Sequence, residues 1–242
     1  TGYLVAVGYN ALTANTTGSH NIGIGYNALK DNVGGTSNAA IGYGSLASNT
    51  SGQFNTGVGS SSLNANINGQ RNVGIGNSSL RDNSSGNYNT AVGKSSGQSI
   101  TTGDDNVTIG HQAGILLTTG NYNTILGSDS DPSAEDAINQ AMVGYGVTGQ
   151  ADNSVVLGNA DVTAIYMAQD KGATVHAAGA DLSGSTGLIL ENDETITNST
   201  DGTVLINGTV AGGTGSAAGV FTSNGDQDVT LQTGNSTTGS IT

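Results

Sequence analysis

This sequence of 242 residues contains no cysteine, no tryptophan and one proline. Without cysteine the chain can form neither a disulfide scaffold nor a thiolate metal site. Only 34% of its residues are hydrophobic, too few for one thick globular core. No stretch reaches the ~18 apolar residues of a membrane span, so we expect no membrane insertion.

Basic residues are also scarce, because five lysines and arginines stand against 18 aspartates and glutamates, for a net charge of −13. The imbalance lies after residue 100, since residues 1–100 carry +2 and residues 101–242 carry −15. An acidic surface disfavours nucleic acid and anionic membranes as partners. We interpret the acidic residues mainly as a source of solubility.

Glycine, in contrast, is abundant, with 40 residues. Nine glycines recur at every seventeenth position, and such a constant interval is the signature of a repeat architecture. This repeat column is Gly8, Gly25, Gly42, Gly59, Gly76, Gly93, Gly110, Gly127 and Gly144. An aliphatic residue precedes each of them, and an apolar or β-branched residue lies two positions before that one. This alternation predicts a short strand with one buried face in each repeat, and we expect valine, isoleucine and leucine to form a thin buried stripe along the repeats.

Two further sets of columns complete the repeat. A second residue whose side chain should point into the coil lies four positions after the glycine. These residues are Leu12, Leu29, Leu46, Leu63 and Leu80. Turns are indicated by a second glycine column that starts at Gly18 and by an asparagine column, which is Asn21, Asn38, Asn55, Asn72, Asn89, Asn106 and Asn123. Glycine and asparagine both tolerate positive φ. We therefore predict an all-β solenoid with two strands and two turns per coil and about 4.8 Å between coils.

The repeat changes after Gly127. Asp131 and Pro132, followed by Glu135 and Asp136, favour a short helix over about 132–140, because they supply a cap, a first-turn proline and acids at the positive dipole end. A calcium site in the acidic segment 127–140 is the alternative, although no twelve-residue calcium loop is present. The next repeat match ends at Gly158, which follows Gly144 by a shorter step than the one that separates the earlier repeat glycines.

These changes divide the chain into three parts. Residues 1–158 are predicted to form the β-roll repeat domain, residues 159–170 an exit strand or connector, and residues 171–242 a β-rich fibre shaft segment. The first residue is Thr1 rather than methionine, from which we expect the chain to be part of something longer.

Several segments resemble a known repeat. Asn38–Gly42 (NAAIG), Asn89–Gly93 (NTAVG) and Gly25–Leu29 (GYNAL) resemble the head repeats of trimeric autotransporter adhesins, the YadA-like left-handed parallel β-roll. Asn153–Gly158 (NSVVLG), with its shorter step from the preceding repeat, is most similar to the shorter adhesin form. Similar arrays occur in bacteriophage tail fibres, where they often end in a segment that Val156–Thr163 resembles. The resemblance covers about residues 4–166.

The resemblance implies a homotrimer with three β-rolls around a threefold axis. A column of small residues would permit close approach between subunits, namely Ala11, Ala28, Ser45, Ser62, Ser79, Ser96 and Ala113. Adhesins also carry a coiled-coil stalk, whereas residues 171–242 show no heptads. This difference favours the structural and host-attachment module of an extracellular phage tail fibre over the alternative, a bacterial adhesin head at the cell surface. Its expected partners are further copies of itself and a host-cell-surface glycan or protein, with no cofactor and no enzymatic activity.

The residues beside the repeat turns vary while the scaffold repeats, and recognition can reside there. The candidate receptor contacts in this column are Phe54, Arg71, Tyr88 and Tyr122, whose aromatic rings could stack on sugars. A second group follows the repeat glycine in successive coils and is expected to form a stacked ladder, namely Tyr9, Tyr26 and Tyr43.

Two other functions are less compatible with the pattern. A glycan-degrading tailspike needs two carboxylates about 5–9 Å apart. The only acids before residue 101 are Asp31 and Asp82, three repeats apart. An ice-binding solenoid would use the threonine and serine pairs before the second glycine column. Val33–Gly34 and Ile67–Asn68 interrupt that array.

Overall fold

Ten strands of three residues each stack into one parallel sheet in a computed structural model, which describes residues 2–163 and 165. The strands are β1 (Val5–Val7), β2 (Ile22–Ile24), β3 (Ala39–Ile41), β4 (Thr56–Val58), β5 (Val73–Ile75), β6 (Thr90–Val92), β7 (Val107–Ile109), β8 (Thr124–Leu126), β9 (Ala141–Val143) and β10 (Val155–Leu157). Each strand pairs only with its neighbours in chain order. The predicted β-solenoid is therefore confirmed, while the predicted segment 171–242 lies outside the described residues.

The spacing of the strands follows the glycine column. From β1 to β9 each residue pairs with the residue 17 positions on, as Ala39 does with Thr56. The last step is shorter, because Ala141 pairs with Val155, 14 positions on. Residues 159–163 of the predicted exit strand contain no strand, and its remainder lies outside the described residues except for Ile165.

From β2 to β9 the buried residue of each strand is the middle one, which is the opposite of the face expected. In β2, Ile22 and Ile24 point outward and Gly23 points into the coil, and Ala40 and Ile41 of β3 divide in the same way. The interior is thin and filled by the leucine column, so the strand residue facing it must be small. A Cβ on Gly23 would lie 3.3 Å from Cγ of Leu12.

The leucines do point inward, but they do not form the predicted second strand. Leu29, Leu46, Leu63 and Leu80 are fully buried, yet their φ angles of 49° to 51° lie in the left-handed region. Extended backbone is incompatible with this angle. Each described coil thus has one strand, and a tight turn carries the leucine into the core.

In the later coils the residue in the leucine column becomes smaller, while the inward residue of the strand becomes larger. The leucine column continues as Gly97 and Gly114, while the inward strand position grows to Thr108 and Ile125. A Cβ on Gly114 would lie 3.0 Å from Cδ1 of Ile125, so the larger strand residue occupies the space that leucine fills elsewhere. The core keeps its density because the two columns change together.

The asparagine column forms a buried hydrogen-bonded ladder instead of turns at positive φ. The amide nitrogen of Asn55 donates to the Gly69 carbonyl at 2.8 Å. Its amide oxygen accepts the backbone N–H of Asn72 in the next coil at 3.0 Å. The same pattern runs to Asn123, whose oxygen accepts the backbone N–H of Gln140. The buried amide groups of this column are satisfied in this way.

A second ladder, of Asn15, Asn32, Asn49, Asn66 and Asn83, runs beside the first. It stops where Ile100 takes the next position, because an isoleucine side chain cannot donate a hydrogen bond. The amide oxygen of Asn83 is consequently buried without a partner. The end of this ladder coincides with the change in size of the two core columns.

The repeat glycines set the distance between coils. Gly76 has a φ of 132°, and a Cβ there would collide with the backbone carbonyl of Gly93 in the next coil. Only glycine combines this backbone angle with so close an approach.

Residues 132–140 form no helix, so that prediction is wrong. The backbone keeps the regular coil step instead, with bridges between Asn121 and Ile138 and between Asp131 and Thr148. Hydrogen bonds to the neighbouring coil, such as that from Thr118 to the Glu135 carbonyl, outweigh the local helix signals. Across the described residues no helix is long and apolar enough to cross a membrane.

Candidate functional site

The four candidate receptor contacts lie in one column along the solenoid, at the turn that enters each strand. Phe54, Arg71, Tyr88 and Tyr122 all have left-handed φ angles, between 57° and 62°. Each donates its backbone N–H to the preceding coil, as Tyr88 does to the Gln70 carbonyl at 3.0 Å. Bulky residues are strained at this angle, where asparagine or glycine is cheaper. Their side chains are exposed, so burial does not explain why they are there.

Three of these contacts pack on one another. The guanidinium of Arg71 lies 5.2 Å from the ring centre of Phe54 and 5.3 Å from that of Tyr88. It also donates a hydrogen bond of 3.1 Å to the Tyr88 hydroxyl. The arginine is thus sandwiched between aromatic rings of the coils before and after it, an arrangement that the ring quadrupoles stabilise.

This stack changes the way in which the contacts can recognise a ligand. Arg71 covers one face of Phe54 and one face of Tyr88, so sugar stacking is restricted to the opposite faces. Tyr122 lies two coils beyond Tyr88, with Asp105 between them in the column. At the other end of the column Tyr3 stacks on His20 at 5.3 Å. We call the whole set the turn column, which is Tyr3, His20, Ser37, Phe54, Arg71, Tyr88, Asp105, Tyr122, Asn139 and Asn153.

The ladder of Tyr9, Tyr26 and Tyr43 is confirmed. The ring centres of Tyr9 and Tyr26 are 5.3 Å apart, and those of Tyr26 and Tyr43 are 5.2 Å apart and nearly parallel. The ladder lies immediately after the strands, whereas the turn column lies before them. Both edges of the strand face therefore carry side chains stacked at the coil spacing.

The outward face of the strands is the main feature that the sequence patterns did not reveal. Two rows of outward residues run along the sheet, and none of the ten strands contains a charged residue. Ile24, Ile41, Ile75 and Ile109 in one row are each between 36% and 41% exposed. The aliphatic residues before the repeat glycines were the signal, but the alternation alone does not say which face is inside.

The small-residue column does not lie on an outer surface. Ala28, Ser45, Ser62 and Ser79 are fully buried within the coil. Ser62 donates to the Gly74 carbonyl at 2.8 Å. These residues are small because they pack inside the coil near the strand, so they cannot mediate the subunit approach for which they were suggested.

Several acidic residues of the described chain have structural partners. Asp31 pairs with Lys30 at 2.6 Å, Asp82 pairs with Arg81 at 2.7 Å, and His111 contacts Asp129 at 3.4 Å. Burial raises the pKa of Asp131, although its carboxylate also accepts the Leu116 N–H at 2.8 Å. Residues 2–163 contain no group of three or more His, Cys, Asp or Glu side chains that could hold a metal ion.

No protein-family model matches this chain, and no curated protein is significantly similar to it.

Proposed function

We propose that the chain is the structural and host-attachment module of a bacteriophage tail fibre, that it assembles as a homotrimer and that it is not an enzyme. The uncharged outer face of the ten-stranded sheet carries this proposal, and it is aliphatic except for Thr56, Thr90 and Thr124. Nine coil spacings of about 4.8 Å make this face about 43 Å long, and three residues make it about 10 Å wide. A contiguous, mostly apolar strip of a few hundred Å² is in the size range in which exposed patches are often functional, which supports an interaction role for it.

Self-association is the simplest way to cover such a strip. It follows the stacking direction of the coils, so copies related by rotation about a parallel axis would bury it along the stack. Closed cyclic symmetry is the rule for soluble homo-oligomers. The threefold order rests on the resemblance to adhesin heads and phage fibres. A bacterial adhesin head is the alternative, and it would use the same face.

Attachment would use surfaces that remain outside the trimer. The turn column offers aromatic and charged side chains on a rigid scaffold, held by backbone hydrogen bonds to neighbouring coils. Recognition residues on such a scaffold bind with little ordering cost. A host-cell-surface glycan or protein is the expected partner, with no cofactor.

The assembly is tested by placing a charge on the apolar face. Ile75 is 40% exposed on that face, and Ile67 is 48% exposed on a turn elsewhere in the coil. Sedimentation equilibrium should give three chains per particle for the wild type and for Ile67→Glu. Ile75→Glu should give monomers at micromolar concentration, because burying three unpaired carboxylates near one axis costs several kcal/mol each.

A wild-type chain that sediments as a monomer would contradict the proposal, and so would an Ile75→Glu variant that still forms trimers. Attachment is tested separately, by measuring adsorption of the labelled wild-type trimer to a panel of bacterial strains. Adsorption to none of the strains would count against the attachment role and leave the assembly result intact.

A further inference from the structure

The turn column contains a bay that its own packing does not fill. Tyr88 and Tyr122 lie two coils apart with Asp105 between them. Two coil spacings separate the rings by about 10 Å. Asp105 has a short side chain at a φ of 57°, so it forms the floor between two aromatic walls. Both walls are exposed, Tyr88 by 51% and Tyr122 by 61%.

The neighbouring position in the same column shows what such a bay accepts. Phe54 and Tyr88 are also two coils apart, and the guanidinium of Arg71 lies between them, 5.2 Å and 5.3 Å from their ring centres. The Tyr88 hydroxyl accepts a hydrogen bond from it at 3.1 Å. The chain itself therefore contains one occupied example of a flat cation between two rings.

The charge at Asp105 favours a cation in the second bay. Among the residues that the structure describes, the carboxylate of Asp105 has neither an ion pair nor a side-chain hydrogen bond. The adjacent Asp104 is different, because its carboxylate accepts the N–H of Asn87 at the neighbouring coil. Arg71 is the closest cation in the column, two coils from Asp105. At about 10 Å its charge is largely screened at physiological salt.

We propose that this bay, formed by Tyr88, Asp105 and Tyr122, binds the guanidinium group of an arginine on a host-surface protein. Its two walls would stack on the flat faces of the guanidinium, as Phe54 and Tyr88 do on Arg71. Asp105 would accept two parallel hydrogen bonds at its edge. A puckered sugar ring lacks both the charge and the flat faces. The proposal rests on the attachment function and names the kind of partner at that site.

Binding is tested with short acetylated peptides that contain arginine, lysine or citrulline, using saturation-transfer NMR on the assembled protein. The arginine peptide should bind with a millimolar dissociation constant, and neutral citrulline should not bind. Asp105→Asn should weaken arginine binding about tenfold or more, because it removes the charged partner. Tyr122→Asn should weaken it similarly by removing one wall. Asparagine tolerates the left-handed angle and occurs in the same column at Asn139, so both variants should fold.

Two further variants serve as matched controls. Asp136→Asn removes the same charge from an exposed turn outside the column and should leave binding unchanged. Ser37→Asp should create a second bay, because Ser37 lies between the rings of His20 and Phe54 in the same geometry. This variant should bind two arginine peptides per chain instead of one.

Unchanged arginine binding in Asp105→Asn or in Tyr122→Asn would overturn the proposal. Binding of amine-bearing glycans, or of the lysine peptide, in preference to the arginine peptide would also overturn it. Failure of the attachment function would appear differently, as a wild-type trimer that adsorbs to no cells but still binds the arginine peptide.

Discussion

At the residue scale, one asparagine side chain connects three successive coils. The amide oxygen of Asn55 accepts from the backbone N–H of Asn72 in the coil after it, and its amide nitrogen donates to the amide oxygen of Asn38 in the coil before it at 3.2 Å. Its amide nitrogen also donates to the Gly69 carbonyl. Side chains that bond in both directions along the stack align the coils, and a shift of the register by a single position would break every rung.

Replacing Asn55 by alanine should therefore be costly. Asn55→Ala leaves the Gly69 carbonyl and the Asn72 N–H buried without this partner, and we expect a loss of about 3 kcal/mol in unfolding free energy. Urea denaturation measures the loss. Asn77 is exposed, and its side chain makes two hydrogen bonds of 3.3 Å, to the Ser60 carbonyl and from the Ser78 hydroxyl. Asn77→Ala should change stability by less than about 0.5 kcal/mol. Equal losses at both sites would contradict the ladder's role.

The sequence pattern identified these asparagines as repeat residues, but it predicted turns at positive φ where the structure has a buried hydrogen-bonded ladder. Asparagine is common both in left-handed turns and in buried ladders, and its spacing is the same in either case. The residues that do adopt left-handed angles include Phe54, Arg71 and Tyr88, which propensity alone would not select. Hydrogen bonds to the neighbouring coil hold them there, and these are not visible in one repeat.

At the element scale, the coil consists of one short strand and one leucine turn that share a core. The strand offers a small residue where the turn offers leucine, and a larger one where the turn offers glycine, as at Ile125 opposite Gly114. Alternation predicted the strands and their bounds well. The expectation that the large aliphatic residues face the core was wrong, because alternation in so short a strand does not show on which side the leucines fill the interior.

At Leu63 the glycine variant should be more stable than the alanine variant, whereas at Ile125 the alanine variant should be the more stable of the two. Both side chains are fully buried, so Leu63→Ala and Ile125→Ala should each cost about 3 kcal/mol. Leu63→Gly should cost about 0.5–1 kcal/mol less than Leu63→Ala, because glycine relieves the left-handed angle. In the strand, Ile125→Gly should cost more than Ile125→Ala by a similar amount. Thermal denaturation of the four variants measures these differences. If alanine is more stable than glycine at both sites, or less stable at both, the left-handed angle at Leu63 is not a source of strain.

At the scale of the whole molecule, the constant period of the glycine column predicted the solenoid because every coil repeats the same contacts. It could not predict the assembly, which depends on the face that each strand turns outward. The turn column was recognisable as variable positions, but the packing of Arg71 between two rings depends on distances between coils. Trimerisation and attachment remain proposals that the apolar face and this column support.

Removal of one whole coil should leave the architecture intact. Deleting residues 43–59 joins Gly42 to Ser60 and restores both asparagine ladders, since each loses one complete rung. The circular dichroism spectrum should keep its β signature, with a modest loss of stability from the missing interface. Deleting residues 43–58 instead shifts every later residue by one position and turns outward side chains inward. That variant should aggregate or fail to fold, and equal behaviour of the two deletions would contradict the register model.

The orientation of the hydrogen bonds also has a mechanical consequence. Every bond between strands, as between Val73 and Thr90, runs along the solenoid axis, and the coils follow one another in series. Tension along that axis loads all the hydrogen bonds between two neighbouring coils at the same time. The weakest of these contacts between coils breaks first. Each coil that yields would release about 58 Å of extended chain in place of a rise of about 4.8 Å. A load would be absorbed in equal steps, with the remaining coils still folded.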